Sequence, residues 1–156
     1  MKKLIYATTI TLAIASSFPA LAGGILRNAK APHLVHSGAH PNNARISQST
    51  HHFDVHVQGS NLEQLFIDVP KGVNVRNRIT ITDQSSNKVD ATISINDNRI
   101  AIAFTQPVPT GTTLLVSMKG VSTSSLRGYT WLYPVYSRSV GINADVPIGI
   151  ARIQTY

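Results

Sequence analysis

The sequence predicts an all-β protein: an antiparallel, immunoglobulin-like β-sandwich of about eight short strands, preceded by a signal peptide. Three observations carry this expectation. From His52 to Thr155 apolar residues recur mainly with a period of two, the period of a half-buried strand. No stretch of that region shows the 3.6-residue period of an amphipathic helix. Charged residues make up only 13% of the chain, against about 25% in an average soluble domain, which leaves little with which to solvate helix faces. Short strands broken by turn residues bury their apolar sides by packing two antiparallel sheets face to face.

The first residues are read apart from the fold. Met1-Lys2-Lys3 is a basic start, Leu4 to Phe18 is apolar apart from small hydroxyl residues, and Pro19-Ala20-Leu21-Ala22 ends in a small-x-small cleavage site. The apolar run of about 15 residues falls short of the about 20 that span a bilayer. No cysteine follows the site, so lipid modification is excluded. Residues 1–22 are therefore expected to be a secretory signal and 23–50 an irregular His-rich lead-in with one short strand near His33–Val35. Residues 51–156 are the sandwich domain. No later apolar run approaches a transmembrane helix; the longest is Ile100–Phe104.

Within the domain each strand has its own signal. Phe53, Val55 and Val57 alternate with His52, Asp54, His56 and Gln58. Leu65–Val69 forms a second strand stopped by Pro70-Lys71-Gly72, and Val73, Val75, Ile79 and Ile81 continue the period of two through a third segment. Ala91–Ile95 and Arg99–Phe104 flank Asn96-Asp97-Asn98, which reads as a hairpin with a three-residue loop. Pro107-Val108-Pro109-Thr110-Gly111 is a turn before a strand at Thr112–Met118. Ser122–Gly128 is a loop, and Thr130–Ser137 and Ile148–Thr155 are the last strands. Pro134 cannot donate to a ladder, so its strand is expected to bulge or lie at an edge there.

Several of these pieces, in this order, resemble the exported, largely cyanobacterial family called domain of unknown function 2808. They are Ala31-Pro32-His33-Leu34-Val35, the strand around Phe53, and Asn61-Leu62 leading into Leu65-Phe66-Ile67. Pro107-Val108-Pro109-Thr110-Gly111-Thr112-Thr113, Tyr129-Thr130-Trp131-Leu132-Tyr133-Pro134 and the closing Gly149–Tyr156 complete the set. The resemblance covers nearly the whole chain after the signal. It implies an exported β-rich domain and supplies no catalytic residues.

The chemistry-bearing residues are few. The chain has no cysteine, which excludes a disulfide scaffold, a thiolate metal site and a cysteine nucleophile. Glu63 is the only glutamate, and neither a Gly-x-Ser-x-Gly elbow nor a His-Glu-x-x-His motif occurs. Asp97 lies in a segment without the glycine and glutamate of an EF-hand loop. No catalytic constellation is found, and the chain is not expected to be an enzyme or to need a cofactor.

All six histidines fall between positions 33 and 56. His52, Asp54 and His56 project from one strand face, where neighbours lie about 6.6 Å apart. That spacing suggests two imidazoles converging on Zn or Cu, with Asp54 as third ligand and His51, His33, His36 or His40 as a fourth. The competing expectation is a solvated outer face of an edge strand. Tyr129, Trp131 and Tyr133 also share one face. They form either a platform for sugar rings or peptide, or part of the core; the core is the expected fate. Arg76 and Arg78, with Lys71 or Lys88, read as an ordinary solvated face. The formal net charge of +7, less Lys2 and Lys3 after cleavage, suits an acidic glycan or a protein of the envelope better than nucleic acid.

The functional expectation is an exported, non-catalytic β-sandwich with a binding or structural role in the cell envelope, periplasmic or extracellular. A metal-handling periplasmic protein and a small outer-membrane β-barrel are the alternatives.

Overall fold

The computed structural model describes residues 30–156, so the expected signal peptide at 1–22 lies outside the described residues. Ten strands follow one another: β1 (His33–His40), β2 (Ser49–His56), β3 (Leu62–Asp68), β4 (Val73–Asn74), β5 (Ile79–Asp83), β6 (Ala91–Asn96), β7 (Arg99–Val108), β8 (Thr113–Thr123), β9 (Tyr129–Ser139) and β10 (Val146–Thr155). They form two antiparallel five-stranded sheets. One runs β1-β2-β8, with β4 and β5 both paired to the far side of β8; the other runs β10-β9-β3-β7-β6. Among the described residues there is no helix, and none long and apolar enough to cross a membrane.

Period-two patterning explains the layers. In β2 burial alternates residue by residue, Phe53 and Val55 pointing inward. Leu114, Val116 and Met118 of β8 do the same. From the other sheet Leu65, Ile67, Ile100, Ile102, Val135 and Ile153 meet them in a single buried cluster. Each such side chain contributes about 1.5–3 kcal/mol relative to leaving it in water. The strands β7 to β10 run to ten or eleven residues, longer than the short segments expected at Arg99–Phe104, Thr112–Met118, Thr130–Ser137 and Ile148–Thr155. Length therefore does not separate this fold from a transmembrane barrel; architecture does. A barrel is one closed sheet with its apolar residues turned out to lipid, whereas here two sheets enclose an apolar core.

One side of the sandwich is sealed by β1 and β10. Ser37 Oγ donates to the Arg152 carbonyl at 2.8 Å. Beyond the strands, Ala44 N–H donates to the Tyr156 carbonyl and Tyr156 N–H to the Asn42 carbonyl, at 2.6 and 2.7 Å. Gly149 is required at this seam: a Cβ there would sit 3.1 Å from Leu34 Cδ1, and its φ is 146°.

Three local expectations shift and one holds. The strand expected at His33–Val35 extends to His40 and pairs along β2. The third segment divides into β4 and β5, because Arg78 N–H turns back to the Arg76 carbonyl at 2.6 Å. The hairpin loop has two residues, since Asn96 pairs with Arg99 and Asp97 adopts a left-handed φ of 51°, a conformation that Asp tolerates. Pro134 fits its place: the pairing of β3 with β9 ends at Ile67 and Val135. Pro134 thus faces a partner only on the β10 side.

Candidate functional site

The histidine strand β2 is not an edge strand. It lies between β1 and β8, and its alternation divides its polar residues between two environments. His52, Asp54 and His56 are half-buried on the outer face, sharing one side as their spacing requires.

Their expected convergence on one ion is not what the strand provides. His52 and His56 are four residues apart, which is about 13 Å along an extended strand. Each is engaged separately. The His52 ring lies over Gly38 of β1, where an added Cβ would be 3.3 Å from it. His56 Nδ1 contacts Thr113 Oγ1 at 2.9 Å. Asp54 Oδ2 lies 3.7 Å from His36 Nδ1. His40 is exposed opposite Thr50. His33 faces His56 with ring centroids 5.4 Å apart, edge to face. Among the described residues no three His, Asp or Glu side chains are grouped so as to hold a metal ion.

His51 turns the other way. It has the parity of Phe53 and Val55 and is fully buried, so it cannot join ligands on the outer face. Its Nδ1 contacts the Tyr133 hydroxyl at 2.6 Å, tying β2 of one sheet to β9 of the other through the core. Its Nε2 has no hydrogen-bond partner. Burial, with a smaller contribution from the neighbouring His52, lowers the His51 pKa from the usual 6.5 to about 4. The imidazole is therefore neutral at physiological pH. Burial raises the Tyr133 pKa above its ordinary value. The pair is a neutral hydrogen bond that joins the sheets.

The aromatic residues take the core reading. Trp131 and Tyr133 are 4% and 0% exposed, so the three-ring platform does not form. Trp131 packs opposite Ile153 and Nε1 reaches Thr155 Oγ1 at 3.4 Å. Tyr129, past the end of the core, is exposed and covers Trp131 at a centroid distance of 4.5 Å.

A second cluster, on the outer face of the β10-β9-β3-β7-β6 sheet, escaped the sequence reading. Phe66 of β3 lies opposite Tyr136 of β9. The Arg99 guanidinium lies 4.8 Å from the Phe66 centroid and that of Arg138 lies 5.2 Å from it. Asp145, from the turn after β9, accepts from Arg99 at 2.8 Å and from Arg138 at 2.6 Å. Nearby on that face Leu132 and Ile150 are 46% and 50% exposed. The signal was present in the period of two around Phe66 and Tyr136, but the partners come from strands distant in sequence.

A groove of about 540 Å³ opens beside the crossover from β5 to β6, lined by Asp83, Gln84, Lys88, Asp90, Thr105 and Gln106 among others. Two of its polar groups are occupied. Asp83 accepts from Asn87 Nδ2 and from the backbone N–H groups of Asn87 and Ser85, and the Asn87 bonds chiefly hold its carboxyl below the usual range. Gln84 Oε1 accepts from Thr113 N–H. These contacts shape turns.

Comparison with solved structures finds a similar fold in pilin subunits. The major pilin subunit BcpA of Bacillus cereus aligns at 5% identity with a TM-score of 0.54, over 80% of this chain and 40% of that one. The full-length major pilin SpaD of Corynebacterium diphtheriae aligns at 9% identity and a TM-score of 0.53, over 81% and 33%. The collagen-binding domain of a Staphylococcus aureus adhesin aligns at 10% identity and a TM-score of 0.45, over 80% and 96%. The chain thus spans well under half the length of either pilin. At these identities the likeness is one of fold. No curated protein matches the chain. A family match covers residues 25–154, and the chain belongs to that family, described as Protein of unknown function (DUF2808).

Proposed function

We propose that this chain is an exported, non-catalytic β-sandwich of the cell envelope that works by presenting its sheet faces to a partner. One observation carries the reading. Leu132 and Ile150 stand exposed on a sheet face that also carries Phe66 and Tyr136 under the Arg99 and Arg138 guanidiniums, which Asp145 and Asp68 hold in ion pairs, a clamped surface of mixed apolar and ion-paired character. Rigid faces of this kind suit contact with a macromolecule, because little side-chain freedom is lost on binding. The basic start, short apolar run and Ala20-Leu21-Ala22 ending support export. The test is cell fractionation with amino-terminal sequencing. The protein is expected outside the cytoplasm, beginning at Gly23; intact Met1 protein in the cytoplasm would refute the reading.

A second reading, binding of Zn or Cu(II), is favoured by a single feature. The His33 and His56 rings are adjacent, and neither nitrogen of His33 has a hydrogen-bond partner although both are shielded from solvent. On this reading the ion is held by His33 and His56 rather than by His52, Asp54 and His56. Calorimetric titration then shows binding that His33→Ala abolishes and His52→Ala leaves intact. Loss of binding with His52→Ala, or no heat with either metal, counts against it.

A further inference from the structure

The outer face of the β1-β2-β8-β5 sheet carries an arrangement that its own chain does not compensate. Arg78 and Lys119 lie directly opposite one another, Lys119 N–H donating to the Arg78 carbonyl at 3.0 Å. Both are exposed and outward, being out of phase with the buried Ile79 and Met118. Like charges facing across a ladder are destabilising. A third cation, Arg76, stands two residues before Arg78 on the same turn. Arg76 passes beside Gly120, whose missing Cβ would lie 3.9 Å from Arg76 Cδ. Gly120, directly after Lys119, has a left-handed φ of 71°, so Arg76 runs past the residue that follows Lys119 in β8.

No carboxylate answers them. None of the ion pairs among the described residues includes Arg76, Arg78 or Lys119, and residues 69–82 and 111–144 contain no Asp or Glu. Asp54, the carboxylate on this face, lies opposite Leu115, four residues along β8 from Lys119. The rows beside the cations are polar. Gly38, His52, Ser117 and Thr80 form one cross-strand row, and His40 and Thr50 stand opposite each other in the next. Leu115, 36% exposed, is the large apolar side chain that this face shows to solvent.

We propose that this face binds an acidic polysaccharide, with Arg76, Arg78 and Lys119 engaging its anionic groups and the hydroxyl and imidazole rows engaging its sugar hydroxyls. The inference rests on the exported-sandwich reading and names its partner class. A cluster of cations without counter-charges concentrates a polyanion at the surface. Hydroxyl and imidazole groups offer the donors and acceptors that a sugar chain needs. A membrane surface would call for apolar side chains to insert beside the cations, and Leu115 is the single candidate here.

The test measures binding of the full processed protein to polygalacturonate and to dextran sulfate, with neutral dextran as control. Two triple variants are compared: Arg76→Gln, Arg78→Gln, Lys119→Gln, and the charge-matched Lys30→Gln, Lys88→Gln, Arg152→Gln. The first is expected to weaken binding to the acidic polymers about tenfold or more and the second less than about twofold, since a specific site loses more than a general field. Thermal melting of each variant reports folding. Should the first triple fail to fold, the exposed single change Lys119→Gln is expected to lower affinity by about threefold. Equal losses in both triples, parent protein that ignores both polymers, or binding only to phosphatidylglycerol vesicles would overturn the proposal. Parent protein that is exported yet ignores both polymers defeats this inference alone; uncleaved cytoplasmic protein defeats the exported reading whatever the polymers show.

Discussion

Replacing Trp131 with alanine is expected to destabilise the fold by about 3–5 kcal/mol, the cost of removing a large buried ring and leaving a cavity. The ring is 4% exposed, faces Ile153 across the β9–β10 ladder and is covered by Tyr129. On its other side it reaches the turn that leads into β4, where a Cβ on Gly72 would lie 3.7 Å from it. Its loss therefore opens contacts in both sheets at one end of the sandwich. For a domain of this size the melting midpoint should fall by roughly 10–20 °C. A variant that melts like the parent would contradict the burial described above, and one that also lost sugar or peptide binding would restore the platform reading.

The second large effect is acid lability centred on His51. The unfolded chain takes up the His51 proton near the usual 6.5, whereas the folded chain holds that site neutral down to about 4. Between those values the unfolded state binds more protons, so stability rises with pH. The contribution is fully present above about pH 6.5 and is lost as pH falls toward 4, amounting to about 3 kcal/mol once both values are passed. Tyr133→Phe leaves the buried His51 Nδ1 without its partner and should cost about 1–3 kcal/mol at neutral pH. The double change His51→Leu with Tyr133→Phe removes both polar groups together. It should be closer to neutral in cost and should flatten the stability profile between pH 6.5 and 4. Denaturant midpoints across that pH range check both statements, and a parent profile that is flat there would contradict the neutral buried pair.

The layers were legible because period two is a local property. Phe53, Val55, Leu114 and Val116 declare their sides without reference to any other strand. The same rule places His51 with Phe53 and Val55, so its inward direction was readable, whereas its Tyr133 partner, 82 positions away, was not. Loop geometry was less legible. The kink that divides β4 from β5 rests on one backbone hydrogen bond between Arg76 and Arg78, and its mark in the sequence is a single residue, the polar Asn77 at the position where the alternation calls for an apolar one. The expected convergence of His52 and His56 fails on simple strand geometry: they share a face, but two steps of the pleat separate them. The clamp of Arg99, Arg138 and Asp145 over Phe66 joins three strands and a turn, and the cationic cluster needs the pairing of β5 with β8 to assemble. Sites built from register are invisible until the register is known.

The partition of the histidines between the two faces of β2 is the premise on which the core, the acid response and the proposed binding face all depend. It is tested most directly by imidazole nuclear magnetic resonance in the presence of a soluble paramagnetic agent. The account predicts that signals of His52 and His56 broaden while those of His51 are spared. Broadening of His51 with sparing of His52 would mean a one-residue slip of β2, which turns every side chain to the opposite face, and would contradict the account.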